Sequence, residues 1–107
     1  MATSRIEIFE QMLVADPANT MVLFGLAKEY EKAGDETKLI ETLERYLASA
    51  DDEGNAFGML ARAYERTKQS DKARVAFQRG VEVATAHGHP GMAEEYKSVL
   101  ESEYSVP

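Results

Sequence analysis

A short apolar motif recurs in this chain at a fixed interval of 34 residues, and this repeat limits the possible folds more than any other feature. Three positions recur together: Leu26, Ala27 and Tyr30, then Leu60, Ala61 and Tyr64. The same interval joins Phe9 to Leu43 and Leu43 to Phe77. A fixed period of this length is typical of a protein built by stacking copies of one supersecondary unit.

Apolar residues recur at helical spacing along nearly the whole chain, and turn residues interrupt them at regular intervals. The helix breakers are Pro17, Gly34, the acidic run 51–54 and the segment 87–90. We therefore predict six helices, at about 5–15, 20–33, 35–50, 53–67, 71–86 and 91–103. Because no run of alternating apolar and polar residues is present, we predict no strand.

Composition describes an ordinary globular chain and excludes several classes of function. Of the 107 residues, 44% are hydrophobic and 29% are charged, and none is a cysteine. The net charge of −7 argues against nucleic-acid binding, which needs a positive field. No apolar run approaches the roughly 18 residues of a membrane helix. We expect a cytoplasmic location, because the first residues do not resemble a secretion signal.

The motifs resemble the tetratricopeptide repeat (TPR), a family of helix pairs with a 34-residue period. In that family the first helix of each pair carries Leu-Gly/Ala-x-x-Tyr, and Met92-Ala93-x-x-Tyr96 matches this pattern once more. The resemblance implies an all-α, right-handed solenoid of about six antiparallel helices in one domain, 1–107. We expect a half repeat at 5–19, full repeats at 20–53 and 54–87, and a terminal helix at 88–103.

Two positions, Lys68 and Tyr46, depart from the family pattern. Lys68 takes the place of Gly34, and a left-handed lysine costs about 1 kcal/mol or more, so we expect that turn to be built differently. Tyr46 occupies a place that the family reserves for a small side chain. Ser70 is expected to cap the fifth helix, because its hydroxyl can accept from a free amide of the first turn.

The resemblance implies that the chain binds a peptide or helix of another protein in a concave groove lined by the first helix of each pair. The candidate partner-binding residues there are Phe24, Lys28, Lys32, Asn55, Arg62 and Arg66. The four cations predict a patch that receives an acidic segment through charge-assisted hydrogen bonds.

The alternative interpretation is that these cations only make contacts within their own helices. Lys32 and Arg66 would then satisfy carbonyl groups at helix ends, while Lys28 and Arg62 would pair with Glu31 and Glu65. For Phe24, a place on the floor of the groove and a place in the core are equally consistent with the sequence. Gly25 and Gly58 either admit a close neighbour or are merely tolerated within their helices.

No motif points to catalysis, to a cofactor or to a metal, so we expect a protein that is not an enzyme. His87 and His89 lie near Glu94 and Glu95, but the pattern offers no fixed third ligand, and a turn with incidental histidines is the better interpretation. The alternative function is structural. Helices without a mate at the two ends would let the chain associate with copies of itself.

Overall fold

A computed structural model describes residues 4–104, and within them it contains six α-helices and no strand. The helices are α1 (Arg5–Ala15), α2 (Thr20–Ala33), α3 (Glu36–Ser49), α4 (Asn55–Arg66), α5 (Ser70–Ala86) and α6 (Pro90–Glu103). The all-α prediction is confirmed. The chain divides into two compact units, the first ending at Ala50 and the second beginning at Asp51. The predicted domain boundaries remain a prediction.

The first unit consists of α1, α2 and α3, and its core is aliphatic. Leu23, Leu39 and Leu43 are almost fully buried, and they come from helices joined by a short turn. The ring of Phe9 in α1 lies against Gly25 of α2, where an added methyl group would lie 3.3 Å from the ring. This glycine therefore admits a close neighbour, which answers one question that the sequence left open.

The second unit consists of α4, α5 and α6, and its core is organised around aromatic rings. Phe77 of α5 is completely buried, and its ring centroid lies 5.8 Å from that of Tyr96 in α6.

The side chain of Asp52 caps the start of α4. Its Oδ2 accepts from the amides of Gly54 and Ala56 at 2.8 and 3.0 Å. This cap explains why α4 begins at Asn55, slightly later than predicted.

A niche formed by Gly58 and Gly80 holds the ring of Tyr96; we call it the Tyr96 niche. A Cβ atom on Gly58 would lie 2.9 Å from Cζ of that ring, and one on Gly80 would lie 2.9 Å from two of its carbons. The Tyr96 hydroxyl donates to the Gly54 carbonyl at 3.0 Å in a buried hydrogen bond. Only a residue without a side chain fits at either position, so Gly58 is required by packing.

The first unit has ring side chains at the two positions that are glycines in the Tyr96 niche. Thirty-four residues before Gly58 and Gly80 stand Phe24 and Tyr46, whose ring centroids lie 5.1 Å apart. The bulky Tyr46 noted in the sequence is thus packed on an aromatic neighbour from α2. The two repeats share a helical pattern, yet they fill this place differently.

Three helices end in the same left-handed turn, and one of these turns uses a lysine. Gly34, Lys68 and Gly88 have φ values of 74°, 64° and 76°. After α4, the amides of Lys68 and Gln69 donate to the carbonyls of Glu65 and Tyr64, as the equivalent amides do after α2. The prediction of a different turn at Lys68 is wrong, because two backbone hydrogen bonds offset the strain of a left-handed side chain.

The predicted cap of α5 is also wrong. Ser70 is the first residue of the helix rather than its cap, and Gln69 precedes it without a side-chain hydrogen bond to the first turn. The amide of Gln69 donates to the Tyr64 carbonyl in the turn after α4, so Gln69 both closes that turn and directly precedes α5. With no residue between the turn and the helix, Ser70 falls one position too late to cap.

Filling the Tyr96 niche should destabilise the protein. Gly58→Ala or Gly80→Ala forces a methyl group against the Tyr96 ring, and overpacking of this kind exceeds the helix-propensity gain of about 1 kcal/mol. We expect each variant to lose about 1–2 kcal/mol of unfolding free energy in urea denaturation.

Gly91→Ala is the matched control, because nothing lies within 4 Å of a Cβ at that helical position. Its stability should stay unchanged or rise by up to about 1 kcal/mol. Equal stabilities for Gly58→Ala and Gly91→Ala would contradict the packing role of the niche.

Candidate partner-binding surface

The candidate residues of the first unit lie along one face of α2. Met21 is 85% exposed, and Lys28 and Lys32 are exposed farther along the same face. Phe24 is half-buried, with one contact to Tyr46 and with Lys28 Nζ 5.5 Å from its ring centroid. Phe24 therefore serves partly as packing and partly as surface. The opposite face of α2, which includes Leu23, Leu26 and Tyr30, is buried.

The two lysines of this face do not have the neighbours that the alternative interpretation predicts, which are helix-end carbonyl groups for Lys32 and Glu31 for Lys28. Lys32 Nζ lies 3.5 Å from Glu29 Oε2, which Arg5 also approaches at 3.7 Å. Lys28 lies over the Phe24 ring, where a cation–π contact replaces the expected pair with Glu31. Both lysines are exposed, and such contacts hold a side chain only weakly.

The candidate residues of the second unit lie on α4, and Arg62 is the most constrained of them. Its Nη1 lies 3.0 Å from Glu65 Oε1 and 3.9 Å from Glu103 Oε2, and its guanidinium carbon lies 5.0 Å from the Phe77 ring centroid. The expected pair with Glu65 is present. Asn55 begins α4 and Arg66 ends it, and both are exposed.

The structure thus groups Phe24, Lys28 and Lys32 on α2, and Asn55, Arg62 and Arg66 on α4. These two groups belong to separate units, so a patch that combines them remains a prediction.

Tyr104 completes the surroundings of Arg62, and sequence reasoning did not single it out. Its hydroxyl donates to Glu65 Oε2 at 2.7 Å, and its ring centroid lies 6.1 Å from that of Phe77. Burial raises the pKa of Tyr104 to about 12, and the hydrogen bond to Glu65 adds to the shift. The only signal in the sequence was a second tyrosine two helical turns beyond Tyr96.

Two grooves occupy equivalent places in the two units. One, of about 330 Å³, is lined by residues of α1, α2 and α3 that include Tyr30, Lys38 and Arg45. The other, of about 400 Å³, includes Tyr64, Lys72 and Arg79, each 34 residues later. The first groove is polar because Glu10 and Glu41 line it, whereas Phe57 and Val75 make the second apolar.

The two histidines pair separately with carboxylates ahead of α4. His87 Nε2 lies 3.2 Å from Asp51 Oδ1, and His89 Nε2 lies 2.5 Å from Glu53 Oε1. The hydrogen bond and charge of His89 lower the pKa of Glu53.

Within residues 4–104 no three histidine or acidic side chains are arranged to hold a metal ion. Over the same residues, no helix has the length and apolar character required to span a membrane.

Comparisons with known proteins agree with the repeat pattern. No family model matches the chain. A curated TPR repeat-containing protein of Pseudomonas aeruginosa is 31% identical over 83 residues, which is 78% of this chain and 79% of that protein. The crystal structure of MamA, a TPR-like helical solenoid, is similar with a TM-score of 0.68 and 23% identity.

The match to MamA covers 91% of this chain and 65% of that one, so the chain spans just under two thirds of the solved structure. At this identity the likeness concerns the fold, and it confirms the predicted class of helical solenoid.

A part-buried hydrogen bond of the first unit should make stability depend on alkaline pH. The Tyr30 hydroxyl donates to Glu10 Oε2 at 2.6 Å, and burial, reinforced by that bond, raises the pKa of Tyr30 to about 12. The folded value exceeds the unfolded one, so the contribution is complete below about pH 10 and is lost as the pH rises towards about 12. Denaturant unfolding at stepped pH, with tyrosinate absorbance as a second readout, should show this loss.

Tyr30→Phe removes the group and serves as the comparison. It should be less stable than the wild type near neutral pH, because the Glu10 bond is missing, and should lose less stability across the alkaline range. If both proteins lose the same stability there, Tyr30 is not the group responsible.

Proposed function

This chain belongs to the tetratricopeptide repeat family, and from that membership we propose that it binds a peptide or helix of a partner protein in a concave groove. TPR-like proteins bind other proteins, and the proposed role is accordingly one of binding without a catalytic step. The partner that we propose carries an acidic segment with apolar side chains beside it.

The observation that carries this proposal is the exposed row on α2. Met21, Phe24 and Lys28 occur at spacings of three and four residues, so they form one continuous face. An exposed methionine adapts its shape to varied apolar partners, and an aromatic ring with an overlying cation offers both area and charge. Met21 is 85% exposed beside the half-buried ring of Phe24, so this face offers apolar surface and positive charge together.

Charge supports an acidic partner. The chain carries a net charge of −7, yet this face of α2 presents Lys28 and Lys32. In the second unit, Asn55, Arg62 and Arg66 are the residues that we propose for the same task. Local positive charge on an acidic protein favours the encounter with an acidic segment and raises the rate of association.

Charge reversal on α2 tests the proposal. The variant Lys28→Glu/Lys32→Glu should lose capture of the partner from the native extract by at least about tenfold, because it places like charges against the acidic segment. Both side chains are exposed, so the thermal midpoint of unfolding should change little. The measurement is affinity capture with the wild type and the variant in parallel, followed by quantitative mass spectrometry.

Lys97→Glu is the matched control, because it reverses an exposed lysine on α6, outside the proposed surface. A partner retained by this control and lost by the α2 variant supports the proposal. Capture that is equal in all three proteins would show that this face does not bind the partner.

A second candidate function, self-association, is favoured by the exposed face of α1. Ile8 is 44% exposed and Met12 is 46% exposed. At the positions equivalent to Ile8 in the next two such helices, Thr42 and Ala76 are each only 5% exposed. The apolar character of Ile8 and Met12 suits contact with a helix of a second copy.

Light scattering behind size exclusion tests this candidate. If self-association occurs, the mass should rise with protein concentration, and Ile8→Glu should return it to that of a monomer. Val75→Glu is the control, because it places the same charge on another exposed apolar residue, in α5. A wild type that is monomeric at every concentration removes the candidate.

A further inference from the structure

The last turn of α6 lies on α4 at one of the residues proposed for partner binding. Glu103 Oε2 lies 3.9 Å from Arg62 Nη1, and the hydroxyl of the next residue, Tyr104, donates to Glu65 at 2.7 Å. The Tyr104 ring also packs near Phe77. We call this arrangement the Tyr104 contact. It brings a carboxylate and an adjacent phenol to Arg62 and Glu65.

We propose that the Tyr104 contact is an internal ligand, which a partner segment with a glutamate directly followed by a tyrosine displaces from Arg62 and Glu65. This inference rests on the proposed function and adds two elements to it. It specifies the chemistry that α4 recognises, and it makes the last turn of α6 with Tyr104 an autoinhibitory element. The chain's own Glu103 and Tyr104 then show what a bound partner segment looks like.

The receiving side of the contact has contacts of its own, apart from Glu103 and Tyr104. Arg62 lies over the Phe77 ring at 5.0 Å and pairs with Glu65 at 3.0 Å, so two contacts restrict the orientation of its guanidinium. A guanidinium held in this way offers directed donors to a carboxylate and loses little conformational freedom on binding. Glu65 presents Oε2 to the phenol while Oε1 accepts from Arg62.

The internal ligand is held loosely enough to leave. The Arg62–Glu103 pair is long, and its side chains are 43% and 51% exposed, so water competes for both charges. The Ser102 hydroxyl donates back to the carbonyls of Ser98 and Val99, a pattern that weakens and bends helices. The end of a helix also opens more readily than its middle.

The rest of α6 is fixed, which confines the movement to its last turn. Tyr96 is only 8% exposed, lies in the Tyr96 niche and donates to the Gly54 carbonyl. Displacement of Glu103 and Tyr104 therefore leaves the helix docked and frees Arg62 and Glu65. A tethered group of this kind competes at an effective concentration of roughly millimolar, so its removal is measurable.

A peptide added in trans tests the proposal on the full chain. The probe is the fluorescein-labelled, amidated peptide Leu-Glu-Ser-Glu-Tyr, which has the sequence of residues 100–104. In fluorescence anisotropy, Glu103→Gln/Tyr104→Ala should bind it at least about tenfold more tightly than the wild type, because the competing internal ligand is absent. Adding Arg62→Gln to this variant should abolish that gain.

Two further variants guard against loss of folding. Tyr104→Phe keeps the ring on Phe77 and removes only the hydrogen bond to Glu65, so a smaller gain of about threefold is expected. Glu101→Gln removes the same charge from an exposed position on α6 and should bind the probe as the wild type does. Thermal unfolding of each protein confirms that the comparison is between folded chains.

Equal affinities for the wild type and Glu103→Gln/Tyr104→Ala, or no binding to any variant, would overturn the proposal and leave the Tyr104 contact as packing alone. This outcome is distinct from failure of the proposed function. That failure appears when Lys28→Glu/Lys32→Glu captures the partner as well as the wild type does, in an assay that does not use this peptide.

Discussion

The second unit depends on one close approach, the insertion of the Tyr96 ring between helices that lack side chains at Gly58 and Gly80. The ring joins α6 to both earlier helices, and its hydroxyl reaches the Gly54 carbonyl ahead of α4. Because Tyr96 is fixed there, the following turns of α6 lie where Glu103 can approach Arg62. The environment of a candidate binding residue is therefore set by a packing requirement that lies about two helical turns before Glu103.

Local signals were sufficient to predict the helices. Pro17 ends α1 and Gly34 ends α2 through a left-handed turn, and both effects follow from the backbone chemistry of single residues. Lys68 and Ser70 were misjudged for a common reason. Whether a lysine adopts a positive φ, and which residue caps α5, depends on two backbone hydrogen bonds after α4 that propensity rules do not include.

The candidate site was less predictable, because its decisive contacts join residues distant in sequence. The spacing of Lys28 and Arg62 predicted that both turn away from the core, but it did not reveal that Arg62 lies on Phe77 or that Tyr104 bonds Glu65. Gly58 was ambiguous because the ring that requires it belongs to α6, beyond an intervening helix. A repeat period identifies positions within a unit, whereas the side chain that occupies a space between helices depends on the tertiary fold.

The contacts of residues 51–54 have a consequence for how the second unit unfolds. His87 and His89 reach Asp51 and Glu53 across 36 residues, and Tyr96 reaches Gly54 across 42. An ideal repeat array has only nearest-neighbour terms and can lose its terminal helix alone. Here the terminal helix and its preceding turn hold the segment that begins the unit, so losing α6 also releases the start of α4. Apart from the last turn of α6, the second unit therefore opens as one cooperative element rather than helix by helix.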